Sequence, residues 1–195
     1  MIERFGDAWD MAELNLMRQV RTRANVLGGF LGLVWIVSGA VLILSLDSLI
    51  PVLIPRTSHG LLGVLTMPFV HASWTHLVVN TLPLATFAWL VLIRGTSYFA
   101  RVTLFITLVG GLGVWVFARS AAHVGASGLI FGYFGFLVAR GLYDRQLRSL
   151  AIALGVAFVY GSMIGGVLPG LPQVSWEGHL AGLLAGVLAA RVLDH

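Results

Sequence analysis

Gly125-Ala126-Ser127-Gly128-Leu129-Ile130-Phe131-Gly132 sets one serine among glycines, and an uncharged, largely apolar run continues from it to Arg140. Read as a helix, the run from Ser127 to Arg140 covers about 20 Å, against roughly 30 Å for the hydrocarbon core of a bilayer. If Arg140 marks a membrane surface, the serine end of this helix lies inside the membrane. A hydroxyl at that depth is either a packing device between helices or a nucleophile, and the rest of the chain has to decide between them.

The membrane itself follows from composition. The 195 residues are 58% hydrophobic and 10% charged, whereas a soluble domain carries about 25% charged residues. The fold class expected is an all-α polytopic membrane protein. All twelve basic residues are arginine, and most stand at the ends of apolar segments, where they anchor helices. The net charge of +4 is therefore a membrane feature and not a nucleic-acid footprint. The chain has no cysteine, which excludes disulfides and thiol catalysis.

Residues 1–23 are polar, and Ile2, Phe5, Trp9, Leu16 and Val20 recur at roughly helical spacing. They read as a cytosolic segment, either an amphipathic helix in the interface or a partly ordered tail, and not as a cleavable signal. A single membrane domain over 24–195 follows. Its apolar segments are 24–46, 75–93, 98–118, 127–139, 149–168 and 176–193, giving six transmembrane helices with a short fourth one carrying the serine. Pro83 is expected to kink the second. With the N-terminus inside, Arg4, Arg18, Arg21, Arg23, Arg94, Arg101, Arg140, Arg145, Arg148 and Arg191 fall on one side and only Arg56 and Arg119 on the other. That bias predicts cytoplasmic termini. The outer connection over 47–74, 28 residues long with three prolines, is expected to lie in or on the outer leaflet.

Ionisable and polar residues inside membrane segments point to function. Ser127 stands 13 residues before Arg140, His179 12 before Arg191, and Asn80 14 before Arg94. All three segments run the same way, so the three side chains share a layer about 18–21 Å from the inner boundary. His76 lies one turn from Asn80 on the same face. Gly128, Gly132 and Gly135 in the fourth segment and Gly178, Gly182 and Gly186 in the sixth have the small-residue spacing that lets helix backbones touch. If those faces meet, His179 reaches Ser127.

Acyl transfer needs such a set. His179 can take the proton of Ser127, and His76, the Asn80 amide and the Ser127 N–H can face a developing oxyanion. No carboxylate lies at this depth, which implies a Ser–His dyad with its imidazole packed on Phe131. A metal site is not expected, because His71 and His76 are about 140° apart round a helix with no carboxylate near. His71 reads as a support for the loop, and His59, His123 and His195 as loop or terminal residues.

These pieces together resemble the rhomboid family of intramembrane serine proteases. The serine stretch matches its GxSGxxxG motif, His71-Ala-Ser-Trp-Thr-His76-Leu-Val-Val-Asn80 its HxxxxHxxxN motif, and Gly178-His179-Leu-Ala-Gly182 its motif on the last helix. The resemblance implies Ser127 as nucleophile, His179 as base, and His76 and Asn80 at the oxyanion. Gly125, Gly128, Phe131, Gly132 and Gly182 would support them. It implies no cofactor, transmembrane proteins as substrates, and a bacterial inner membrane as location; an inactive relative that binds transmembrane helices is the alternative. Gly161, Gly165, Gly166 and the loop over 169–175 match the region of the substrate gate and cap. One departure stands out: where many members carry Trp-Arg in the first outer loop, this chain has Leu62-Gly63.

Overall fold

A computed structural model describes residues 2–46, 49–170 and 173–193, with side chains from Met11 onward except that of residue 12. The apolar side chains expected at Ile2, Phe5 and Trp9 lie outside that description, as do His195 and two residues of the 169–175 loop. The described chain is all helical: α1 Ile2–Leu44, α2 Ser58–Thr66, α3 Trp74–Leu92, α4 Thr96–Phe117, α5 Ser127–Tyr143, α6 Leu147–Tyr160 and α7 Trp176–Val192. Short 3-10 turns follow α2 (Met67–Phe69) and α6 (Gly161–Val167).

The bundle is built round α5. Thirteen of its 17 residues are buried, which no amphipathic surface helix would allow. Its neighbours are α7, α6, α3 and α4. The outer surface is apolar instead: Phe117, Phe158, Val79, Leu82 and Leu154 are exposed. A chain with an inside-out surface of this kind needs hydrocarbon as its solvent. Four helical stretches are long and apolar enough to cross a bilayer, namely Glu13–Leu44, Trp74–Leu92, Thr96–Phe117 and Leu147–Val167. α5 and α7 have 17 residues each, about 26 Å, and sit inside that frame.

Several expectations change in detail. α1 runs unbroken through the boundary expected at residue 23, and its 43 residues extend about 65 Å, far beyond one bilayer core. The first outer connection is not all loop. Thr57 caps α2 by accepting from the Gly60 N–H at 3.0 Å, and Val64 packs inward with Leu53 and Val114 while Leu61, Leu62 and Leu65 face out. His59 therefore lies in a helix. α5 continues one turn beyond Arg140, which is 7% exposed. The reason is Asp144 four residues on, which pairs with Arg140 at 2.6 Å and also with Arg94. Pro83 lies inside α3, which runs on to Leu92 as one helix.

The α5–α7 contact is made by backbone. A Cβ on Gly182 would stand 1.9 Å from the Gly128 carbonyl oxygen, and one on Gly186 1.8 Å from that of Gly132. Only hydrogen fits there, as the glycine spacing of both helices anticipates. This approach brings the first turn of α5 against the first turn of α7.

Candidate active site

Ser127 is the first residue of α5, and the loop before it is pinned twice. Gly125 takes φ +111°, a region that favours glycine, and a Cβ there would lie 2.6 Å from the His76 ring. The Gly125 N–H donates to the Met67 carbonyl at 3.0 Å, and the Ala126 N–H to His71 Nε2 at 3.3 Å. His71 is anchored behind by Ser38 of α1 at 2.8 Å, whose hydroxyl proton goes to the Phe69 carbonyl at 2.8 Å. Because that proton is spent, Ser38 must accept from His71 Nδ1–H, which leaves Nε2 as the acceptor facing Ala126. Burial, with the His76 imidazole beside it, lowers the His71 pKa to about 4 and keeps it neutral.

His179, on α7, meets the serine. Its Nε2 is 2.9 Å from Ser127 Oγ, and its Nδ1 is 2.8 Å from the Gly166 carbonyl oxygen. A carbonyl only accepts, so Nδ1 carries the hydrogen and Nε2 is left to receive the serine proton. The imidazole lies flat on Phe131, ring centres 4.2 Å apart and planes 8° from parallel. Phe131 is on the α5 face expected. The Gly166 partner is not evident in the sequence, because a backbone carbonyl has no residue signature. A Cβ at 166 would stand 3.0 Å from Phe131 and 3.2 Å from His179 Nδ1, so any larger residue there presses on the stacked pair. Among the described residues the carboxylate nearest in sequence, Glu177, is engaged by Arg119 at 2.8 Å.

His76 and Asn80 complete the layer on α3. Both line a cavity of about 630 Å³ together with Ser127, Phe131 and His179. The Asn80 side chain is 8% exposed and its Nδ2 has no protein acceptor. A buried donor of this kind costs about 1–3 kcal/mol unless something accepts from it, and it stands beside Gly125 and the serine. The Ser127 N–H, at the first position of α5, is one of the first-turn amides with no acceptor inside the helix.

The cavity wall holds residues that sequence reading left without a role. His123 is 1% exposed; its Nε2–H donates to the Arg119 carbonyl at 3.1 Å, so Nδ1 accepts from the Ser175 hydroxyl at 2.6 Å. Ser175 also caps α7, accepting from the Gly178 N–H, and Arg119 donates to the Val174 carbonyl at 2.9 Å. The loop ahead of α5 thus fixes the start of the helix bearing His179. Arg119, His123 and Ser175 stand in loops, outside the helical period from which the depth of Ser127 and His179 is counted, so no spacing pattern marks them. The departure at Leu62-Gly63 also has a local cause. A Cβ on Gly63 would be 2.3 Å from the Leu53 nitrogen, and the loop is held instead by Arg56, donating to the Val116 and Ala118 carbonyls at 3.1 and 2.8 Å. Trp115 of α4 donates back to the Thr57 carbonyl at 2.9 Å.

Comparison with known proteins agrees with the motifs. Residues 58–194 match the family model of the Rhomboid domain. Uncharacterized protein Rv1337 of Mycobacterium tuberculosis is 43% identical over 149 residues, 72% of this chain and 62% of that protein. A Bacillus subtilis protein named "Putative rhomboid protease YdcA" is 30% identical over 64% of this chain and 63% of its own length. Rhomboid-like protein 11, chloroplastic, of Arabidopsis thaliana is 28% identical over 66% of this chain and 51% of its own. The chain spans less than two thirds of the length of each. With the domain match running from α2 to the end of α7, the chain belongs to the rhomboid family.

Proposed function

We propose that the protein is an intramembrane serine endopeptidase in which Ser127 and His179 form a catalytic dyad. The observation that carries this reading is the 2.9 Å contact between Ser127 Oγ and an imidazole nitrogen that the Gly166 carbonyl, 2.8 Å from the other nitrogen, leaves unprotonated. Ser127 Oγ attacks the scissile carbonyl as its proton passes to His179 Nε2. The imidazolium keeps its Nδ1–H on Gly166, so it stays aimed while it carries the proton. The oxyanion is met by Asn80 Nδ2, His76 and the Ser127 N–H. His179 then protonates the leaving amine, and water hydrolyses the acyl-enzyme by the same route in reverse.

The substrate fitting this site is a transmembrane segment cut near its outer end. In this reading six helices span the membrane, α5 and α7 being the short ones, and the dyad lies below a membrane surface, with water reaching it through the cavity. A peptide bond inside a helix is shielded, so the substrate must unwind locally. The arginine bias supports cytoplasmic termini, and the family resemblance a bacterial inner membrane.

Purified protein incubated with a membrane-helix reporter should cleave it. Ser127→Ala and His179→Ala should lose about 10³-fold or more, and Asn80→Ala about 10²-fold. Dyad variants that cut as fast as the parent would refute the assignment. A parent that neither cuts nor reacts with a fluorophosphonate probe would favour the alternative, a relative that binds transmembrane helices without cleaving them.

A further inference from the structure

Among the described residues of α1, Val34, Ser38, Gly39 and Val41 are buried, and Ser38 is the polar one. A hydroxyl inside a membrane helix commonly bonds the carbonyl one turn back. Thr81, Thr86 and Thr103 do so, at 2.8, 2.9 and 2.7 Å. Ser38 reaches out of its helix instead. Its hydroxyl donates to the Phe69 carbonyl at 2.8 Å and stands 2.8 Å from His71 Nδ1.

These bonds form a chain in which every hydrogen has one place. The Phe69 carbonyl can only accept, so Ser38 accepts from His71 Nδ1–H. His71 Nε2 is then bare and accepts from the Ala126 N–H at 3.3 Å, one residue before Ser127. On its other side the loop is packed as closely: a Cβ on Gly125 would lie 2.6 Å from the His76 ring and 3.6 Å from Asn80 Nδ2. The His71 ring also meets the His76 ring edge to face, with centres 5.0 Å apart. His71 therefore backs both the Gly125–Ala126 peptide and His76, and Ser38 is what holds His71. Without that acceptor, a ring 1% exposed would keep an unsatisfied Nδ1–H. Turning the ring to satisfy it would release the Ala126 amide.

We propose that Ser38 is a positioning residue for Ser127, acting through His71 on the Gly125–Ala126 loop and on His76. It touches neither the substrate nor the dyad. Ser38 lies outside the residues 58–194 that match the family model, so the family motifs do not mark it. The catalytic half of the proposal rests on the Ser127–His179 reading, whereas the hydrogen-bond half does not.

The test takes the full chain in detergent with three variants. Ser38→Ala removes the hydroxyl, Ser38→Thr keeps it, and Val41→Ala trims a buried α1 side chain that makes no hydrogen bond. Thermal unfolding gives the folded fraction, to which rates are referred. On the membrane-helix reporter, Ser38→Ala should lower kcat about tenfold with KM within about twofold, because the serine loop shifts while the substrate's seat does not. Ser38→Thr should recover most of the loss, and Val41→Ala should keep the parent kcat whatever its stability. NMR of the protein labelled with 15N-histidine reads the bond itself. In the parent, His71 Nδ1 should carry a hydrogen protected from exchange. Ser38→Ala should lower that protection about tenfold and Val41→Ala should leave it. Unchanged kcat or unchanged protection in Ser38→Ala overturns the proposal, and so does an equal fall of kcat in Val41→Ala. If the threonine methyl does not fit, the two alanine variants still decide. A parent that neither cuts the reporter nor reacts with a fluorophosphonate probe defeats the protease reading, and the His71 protection then decides alone whether Ser38 holds the loop.

Discussion

His71 shows how one side chain outside the dyad can govern the serine. It accepts from the Ala126 N–H, one residue before Ser127, and its other nitrogen donates to Ser38 on α1. A proton on Nε2 would face the Ala126 N–H and break the first of these bonds, so the folded state requires the neutral ring. The unfolded value, near 6.5, drops to about 4 on folding, because burial and then the His76 imidazole disfavour the charge. The stability that depends on neutral His71 is thus complete above pH 6.5 and declines as the pH falls towards 4, where the folded state also takes the proton. At about 1.4 kcal/mol per pH unit the loss over this window is about 3 kcal/mol. Unfolding of the parent and of His71→Gln, followed in detergent from pH 7 to pH 4, should show that the variant lacks most of this decline. Parallel curves for the two proteins would mean that His71 does not titrate in this window.

Among the elements, the α5–α7 pair matters most, because its backbone contact sets the distance between the serine and the imidazole. A methyl group on Gly182 would sit 1.9 Å from the Gly128 carbonyl oxygen, and relief requires moving a whole helix. Gly182→Val should therefore destabilise the protein by about 3 kcal/mol and uncouple His179 from Ser127. Gly29→Ala in α1, where a Cβ meets nothing within 4 Å, should be neutral or stabilising by about 0.5–1 kcal/mol. Thermal unfolding of the two variants checks the pair, and similar effects at both positions would show that the helix contact is not limiting. This contact could be read in the sequence, since small residues repeat every three or four positions on α5 and every four on α7. So could the meeting of Ser127 with His179, and the packing of Phe131, because depth and helical period are local properties. The Gly166 carbonyl, the His123–Ser175 bond and the Arg56 clamp could not, because they involve backbone atoms or loop side chains, which carry no helical period. α2 was hidden by prolines on either side of a nine-residue helix. The burial of Arg140 was not legible either, because it rests on bonds to Asp144 and to the Ala190 and Leu193 carbonyls.

Across the whole molecule, the two ends of the bundle are tied by different chemistry. The end nearer the serine is tied by imidazole and hydroxyl hydrogen bonds and by the Arg56 and Arg119 guanidiniums on backbone carbonyls, with Arg119 and Glu177 as an ion pair among the described residues. At the far end, Asp144 alone joins three helices, through Arg94 at the end of α3, Arg140 on α5 and the Ser149 hydroxyl on α6. Burial opposes ionisation of this carboxyl, but the Ser149 bond and the two guanidiniums outweigh it and hold its pKa below the usual carboxylate range. Its contribution is therefore present above the unfolded value, near 3.9, and is lost as the pH falls through the still lower folded one. That places the acid response of Asp144 below pH 4, under the window assigned to His71, so the two groups can be separated in one titration. Asp144→Asn removes the only carboxylate of the cluster that the described residues show. It takes a charge partner from two largely buried guanidiniums, and should cost about 3–5 kcal/mol at pH 7. The variant should also lack the decline below pH 4 while keeping the one between pH 6.5 and 4. An Asp144→Asn protein as stable as the parent at pH 7 would mean that the bundle end is held by apolar packing, with the ion cluster contributing little to it.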